Sequence, residues 1–222
     1  PTGFVHSNVM GTLQMLELSH KIGVKRFVLI STDEVTGSIK SGSFKERDKY
    51  NPSSVYSATK ASAELIANAY KTTHNMDIII TRCSNNFGPN QFEEKLIPKV
   101  IKNALAGEKI PVYDKGEQRR EWTYVMDHVK DLIFVAEYGR KGSIYNVGKG
   151  YELSNIELVK TILSKLGKGE ELIEFIPNAR KGHDYRYAID LYKIDKLKKK
   201  HNYKVDVGDF MDYLEETIKF YT

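Results

Sequence analysis

The 222-residue sequence contains a single cysteine, Cys83. An internal disulfide is therefore excluded, and the composition suits a reducing compartment, so a cytoplasmic location is expected. No run of roughly 18 apolar residues occurs, so no helix is expected to span a membrane. The chain does not open on a charged-then-apolar leader. Internal repeats and low-complexity tracts are absent, and no metal site is read in the sequence. Neither G-x-G-x-x-G nor G-x-x-G-x-x-G is found among the 16 glycines. Such a turn, with the helix N-terminus behind it, is what cradles a dinucleotide pyrophosphate. An initiator methionine is also lacking: the chain opens Pro1-Thr2-Gly3, from which an upstream segment is expected.

What is present is ordinary for a globular protein, with 41% hydrophobic and 28% charged residues. The net charge of +5 suits an anionic partner, either a nucleic acid or a nucleoside diphosphate. The basic run Lys196-Leu197-Lys198-Lys199-Lys200 reads as a solvated helix end, so no nucleic-acid partner is expected.

Apolar residues at helical spacing (Val9, Leu13, Leu16) predict a helix over 5–22, stopped by Gly23. Arg26-Phe27-Val28-Leu29-Ile30-Ser31 reads as a buried parallel strand, followed by a polar loop to Asn51-Pro52. A second helix is expected over 55–74, with Ser53 or Ser54 as N-cap, then a β-branched strand over 78–81. This alternation implies right-handed crossovers and a Rossmann-like, doubly wound parallel α/β sheet. After Gly88-Pro89 the texture changes. Helices over 93–106, 128–137, 155–166 and 207–221 alternate with short strands over 144–147 and 172–176. The expected division is a remnant sheet domain carrying the catalytic residues over 1–88 and a smaller α/β lobe over 89–222. Some segments of the second part are expected to return to the first.

Tyr56-Ser57-Ala58-Thr59-Lys60 places a phenol and an ammonium on one helix face. A nearby cation favours the phenolate, so Tyr56 is expected to titrate below its ordinary value and serve as a base. Alone the spacing is common, and an exposed helix pair explains it equally well. Its position adds weight, because the helix follows a loop leaving a buried strand, where doubly wound sheets hold their ligands. That loop starts Ser31-Thr32-Asp33-Glu34, a hydroxyl and two adjacent carboxylates. Base, cation, acid and second base together suffice for an oxidation and an elimination in one pocket.

Six segments resemble the dTDP-glucose 4,6-dehydratases of the extended short-chain dehydrogenase/reductase family. They are Ser31-Thr32-Asp33-Glu34-Val35, Tyr56-Ser57-Ala58-Thr59-Lys60, residues 81–89 (TRCSNNFGP), Glu94-Lys95-Leu96-Ile97-Pro98, residues 116–122 (GEQRREW) and residues 182–190 (GHDYRYAID). The likeness runs in order across essentially the whole chain, and the Thr-Asp-Glu triplet separates these enzymes from related epimerases and decarboxylases.

The resemblance implies an NAD-dependent lyase whose reaction is redox-neutral. Tyr56, assisted by Thr32 and Lys60, would take the sugar 4-OH proton while a hydride leaves C4 for NAD. Glu34 would remove the C5 proton, Asp33 would protonate the departing 6-OH, and the hydride would return to C6, giving the 4-keto-6-deoxy sugar. Asp33 must then be protonated while Glu34 is ionised, a split that adjacent carboxylates in a dry pocket can sustain. The likeness further assigns Tyr56, Lys60 and Cys83 to the cofactor. It assigns Asn85, Lys95, Leu96, Tyr113, Arg120, Asn155, Arg180 and His183 to the dTDP-sugar. The planar fork of arginine suits a diphosphate, and the stretch around Pro111-Val112-Tyr113 is expected beside the thymine.

Two departures stand out. Thr36-Gly37 replaces the Tyr-Gly usual after the Thr-Asp-Glu-Val motif, and Arg180-Lys181-Gly182-His183-Asp184 replaces Arg-Pro-Gly-His-Asp. Neither removes a catalytic group. The missing glycine fingerprint implies about 100 further residues upstream, at ~30 or more per βα unit. Without them the 222 residues alone are expected to be inactive. Two other readings remain at this point: a UDP-glucose 4,6-dehydratase, and a non-catalytic nucleotide-sugar-binding fragment. Apolar residues on more than one face of the helices over 5–22 and 55–74 (Leu13, Met15, Leu16; Leu65, Ile66, Ala69) predict a homodimer through these helices.

Overall fold

The computed structural model describes residues 1–177, 184–204 and 207–222. The first helix is composite: a turn α1 (Thr2–Phe4), a π-helical stretch (Val5–Met10) and α2 (Gly11–Lys21). The widened stretch rotates the face that follows it, which a fixed 3.6-residue period does not anticipate. β1 (Phe27–Thr32) follows, then a 3-10 turn (Asp33–Thr36) and α3 (Val55–His74). Ser54, not Ser53, caps α3: its Oγ accepts from Ser57 N and the Ser57 hydroxyl accepts from Ser54 N, a reciprocal capping box. Asn75 ends α3 in the left-handed conformation (φ 52°).

β2 (Ile78–Cys83) pairs in parallel with β1 on one side and with β6 (Ile144–Val147) on the other. The order β1-β2-β6 means that part of the C-terminal half completes the first sheet. Both faces of this sheet are covered, and the period of two decides what covers them. Ile78 and Ile80 join Leu16, Leu29, Ala63 and Ala67 beneath α2 and α3. Ile79 points the other way, into Phe134, Val135, Tyr145, Val147 and Ile194. Those partners come from β6, α5 (Val125–Tyr138) and α7 (Tyr192–Lys200). The doubly wound expectation is met.

The remaining elements are β3 (Asn85–Phe87), α4 (Leu96–Ala106), β4 (Ile110–Tyr113), β5 (Arg119–Tyr124), β7 (Glu152–Ser154), α6 (Asn155–Lys165), β8 (Ile173–Ile176) and α8 (Phe210–Tyr221). They form a lobe with its own core, in which Ile97, Val100 and Ile101 of α4 meet Leu158 and Ile162 of α6 and Leu214 of α8. α4 begins at Leu96 and not at Glu93. That start puts Pro98 in the first turn, where its missing N–H has no intrahelical partner to lose. β5 opens on two arginines and a glutamate, which mask the strand-favouring Trp122, Thr123 and Tyr124 behind them. It is held by parallel pairing to β3 and antiparallel pairing to β7. The basic run lies at the end of α7, where Lys198 pairs with the buried Asp131 at 2.8 Å. It is a helix end, as expected. No described helix is long and apolar enough to cross a membrane.

Candidate active site

The site is assembled at the C-terminal edge of β1 and β2. Thr32 ends β1 in an extended conformation and caps the 3-10 turn, its Oγ1 accepting from Glu34 N at 3.3 Å. The same hydroxyl lies 3.2 Å from Asp33 Oδ1. Thr36, one of the two departures from the family pattern, is buried and donates to Asp33 O at 2.9 Å. It closes the carboxylate-bearing turn itself. Gly37 (φ 81°) then turns away so closely over Asn51 O that a Cβ would collide with it.

α3 presents Tyr56 in its first turn and Lys60 one turn later. Lys60 Nζ donates to Ile30 O of β1 at 2.6 Å, and among the described residues its other two donors are uncommitted. The edge of Phe4 packs on Tyr56, with ring centroids 5.5 Å apart and planes at 69°. Cys83, at the end of β2, donates to Ser31 O at 3.3 Å.

These groups act on one another electrostatically. Burial, reinforced by Glu34 and then Glu121, pushes Asp33 up to about 8. Its Oδ2 is buried without a hydrogen-bond partner among the described residues, as a protonated donor awaiting an acceptor would be. Burial also raises Glu34, but Arg120 and Lys95 pull against it while Asp184 adds to the rise. Two neighbouring carboxyls thus sit in different environments, and Asp33 holds its proton at neutral pH. The Tyr56 expectation needs correcting. Burial, Glu34, Cys83 and Asp33 push its phenol up to about 12, because Lys60 is turned to the β1 carbonyl and the nearest charges are acidic. Burial lowers Lys60, opposed by Cys83 and Glu64, and burial pushes Cys83 up to about 12.

On the lobe side, Arg120 of β5 is buried. Its Nη1 donates to Arg119 O (2.6 Å) and Tyr185 O (3.2 Å), and its Nη2 to Asp184 O (2.9 Å). Its guanidinium lies 4.4 Å from the centre of the Tyr187 ring. Lys95, exposed at the N-terminus of α4, acts on Glu34 as Arg120 does. Leu96 begins α4, and Asn85 is exposed at the start of β3. Tyr113 and Asn155 stand at one turn: Gly116 N donates to Tyr113 O (2.9 Å), and Asn155 N donates to Gln118 O (2.9 Å). Arg180 and His183 lie outside the described residues.

Sequence reasoning passed over three residues. Glu121 is buried on β5 and accepts from Lys149 N and Gly150 N, both at 2.8 Å. Asp184 and Tyr187 are joined at 2.6 Å beside Arg120. All three lie inside quoted motifs, but the sequence does not identify β5 as a strand, so no signal along the chain marks Glu121 as buried. Asp184 and Tyr187 meet the site only through tertiary folding. Among the described residues no His, Cys, Asp and Glu group is arranged to hold a metal ion.

Known proteins resemble the chain throughout. A dTDP-glucose 4,6-dehydratase from Streptomyces niveus is 42% identical over 98% of this chain, which spans 63% of that protein. The low-salt glycan biosynthesis protein Agl12 of Haloferax volcanii is 48% identical over 87% of this chain and 62% of its own length. Among solved structures, the dTDP-glucose 4,6-dehydratase DesIV of Streptomyces venezuelae, crystallised with NAD, superposes with a TM-score of 0.91. Its identity is 42%, and the match covers 96% of this chain and 65% of DesIV. UDP-glucuronic acid 4-epimerase from Bacillus cereus, also with NAD, shares the fold at a TM-score of 0.89 and 26% identity, over 98% of this chain and 68% of the epimerase. The chain therefore spans a little under two thirds of the first relatives named. The profile of the NAD dependent epimerase/dehydratase family matches residues 1–148, from the first helix through β6 and so across both strand ends that carry the site. With that match and the relatives above, the chain belongs to the NAD dependent epimerase/dehydratase family.

Proposed function

We propose that this chain forms the catalytic and sugar-nucleotide-binding part of an NAD-dependent lyase that converts dTDP-glucose to dTDP-4-keto-6-deoxyglucose. The observation that carries the reading is the pair Asp33 and Glu34 on one 3-10 turn. Asp33 is protonated at neutral pH, and Glu34 is the one opposed by two cations. An elimination of water needs that pairing, one group to give a proton and one to take it.

Tyr56 takes the proton of the sugar 4-OH, with Thr32 and Lys60 beside it. Glu34 takes the proton at C5, acidified by the neighbouring 4-ketone. Asp33 gives its proton to the 6-OH, which leaves as water. C5 takes one proton from solvent as the pair returns at C6, so the atoms balance as loss of one water; the protons gained by Tyr56 and Glu34 and the one lost by Asp33 are reset by exchange with solvent. Tyr56, Lys60 and Cys83 fit the nicotinamide-ribose end of NAD, since two Lys60 donors are uncommitted among the described residues and suit ribose hydroxyls. Bound there, the oxidised nicotinamide supplies an electron-pair acceptor for C4, return of that pair at C6, and a positive charge that favours the Tyr56 phenolate.

Asn85, Lys95, Leu96, Tyr113, Arg120, Asn155, Arg180 and His183 are assigned to the dTDP-sugar on family likeness, and for Lys95 and Arg120 also on their action on Glu34. The division into a sheet unit over 1–88 and a lobe over 89–222 is retained, with β6, α5 and α7 returning to the sheet. The reading includes a cytoplasmic homodimer. Supporting it, Met15 (54% exposed) and Leu18 of α2, Ile22 just after it and Leu65 (55%) of α3 are apolar side chains left exposed. The test is incubation of the protein from its complete gene with NAD and dTDP-glucose or UDP-glucose, read by proton NMR. A 6-methyl doublet from dTDP-glucose is expected. Conversion of UDP-glucose alone would correct the base, and no conversion of either would overturn the reading.

A further inference from the structure

We infer that Asp184 is a positioning residue that clasps the sugar-nucleotide lobe onto the segment leading into the catalytic helix; this rests on the function proposed above. Three segments distant in sequence meet at this one residue. Its Oδ2 accepts from Ser53 Oγ, just before the N-cap of α3 and three residues from Tyr56, and from Tyr187 OH at 2.6 Å. Its backbone carbonyl accepts from Arg120 Nη2 at 2.9 Å. The clasp is anchored behind: Arg119 N donates to Tyr185 O at 2.8 Å, and Ile39 N donates to Arg186 O at 3.1 Å. Arg186 in turn reaches Glu152 of β7, with its Nη2 2.8 Å from Glu152 Oε2. A continuous strip thus runs from β5 and β7 to the segment entering α3, and Asp184 makes the bond to Ser53, the residue before the N-cap.

The Asp184 side chain makes no backbone hydrogen bond and caps no helix among the described residues, so fold maintenance does not account for its placement. It does account for two needs of the site. The Ser53 contact fixes the first turn of α3, and with it Tyr56. The negative charge opposes ionisation of Glu34 against the pull of Arg120 and Lys95, so that Glu34 stays basic enough to take a proton from carbon. The charged and titratable groups facing Glu34 are Asp33, Tyr56, Lys95, Arg120, Asp184 and Tyr187. Of these only Asp184 belongs to the strip and bonds to Ser53.

The experiment compares Asp184→Asn, Asp184→Glu and Ser53→Ala in the protein from its complete gene. Hydrogen exchange at the start of α3 is measured without substrate, and kcat, KM and pH profiles with it. Asp184→Asn should raise exchange over 53–57, lower kcat about tenfold, and leave the dissociation constant for dTDP within about twofold. The acidic limb of its kcat profile should move to lower pH, because removing a negative neighbour lets Glu34 ionise more easily. Asp184→Glu should restore part of kcat, and Ser53→Ala should raise exchange without moving the limb. Unchanged exchange in both Asp184→Asn and Ser53→Ala overturns the clasp. A parallel loss of dTDP binding with an unmoved acidic limb shows instead a binding role and also overturns it. A wild-type protein that is inactive overturns the proposed function alone, because the exchange measurement still decides the clasp.

Discussion

Replacing Asp33 by Asn should make the protein more stable and nearly inactive, and the two effects can be worked from one number. The Asp33 carboxyl ionises near its ordinary 3.8 in the unfolded chain and at about 8 in the folded one. Between those values the folded state holds a proton that the unfolded state has released. The stability contributed is fully present below the unfolded value and is lost as pH rises to about 8. At pH 7 the interval already crossed is about three pH units, on the order of 4 kcal/mol at 1.36 kcal/mol each. Asn keeps the shape and cannot ionise, but it buries an amide N–H that lacks a partner, at a cost of about 1–2 kcal/mol. A net gain of roughly 2–3 kcal/mol remains, or some 5–10 °C in Tm for a chain of this size. Loss of the proton donor should lower turnover by roughly 10²–10⁴-fold. Thermal unfolding of both proteins, followed by circular dichroism at pH 5 and pH 8 without ligands, is the assay. The wild type should lose far more Tm between the two pH values than Asp33→Asn does. Equal losses would show that Asp33 is not held protonated, and the assignment of acid and base would fall with it.

Glu34→Gln should leave C4 oxidation intact and block the C5 step, so reduced nicotinamide absorbance appears with substrate while product falls roughly 10²–10⁴-fold; near-normal turnover would remove Glu34 from the mechanism. Tyr56→Phe should give no such absorbance although dTDP-sugar still binds in calorimetry, and its rapid appearance would mean another base serves C4. Glu64→Leu strands the buried Arg82, which Glu64 now holds at 2.8 Å, and should cost about 3–5 kcal/mol in urea unfolding. A change below about 1 kcal/mol would mean that Arg82 finds water or another partner. Light scattering should give a dimer at micromolar concentration, and the charged substitution Leu65→Glu on the exposed face of α3 should yield monomer. A wild-type monomer would leave those exposed side chains without a role.

Periodic spacing was enough to locate the elements whose side chains carry a period. The span of α3, the buried strands at β1 and β2 and the two faces of the first sheet follow from apolar spacing, because burial on a helix or pleat repeats at 3.6 or 2 residues. The sequence also placed Thr32, Asp33, Glu34, Tyr56 and Lys60 in one site, since they fall at a strand end and the helix start after it. β5 was illegible because REWTY carries charges whose partners are remote: Glu121 is satisfied by the backbone of the 149–150 turn and Arg120 by the carbonyls of 119, 184 and 185. α7 was legible only at its basic end, because only Ile194 of its nine residues is buried. Charge and dielectric were decided by the tertiary structure alone. Spacing put Lys60 beside Tyr56, yet the folded chain turns the ammonium to the Ile30 carbonyl and leaves the phenol among acids. Likewise, adjacency made Asp33 and Glu34 a pair, but it took Arg120, Lys95, Glu121 and Asp184, brought in from the lobe, to make one an acid and the other a base. An ionisation depends on every charge within a few ångströms and on the water excluded around it, and neither distance is written along the chain.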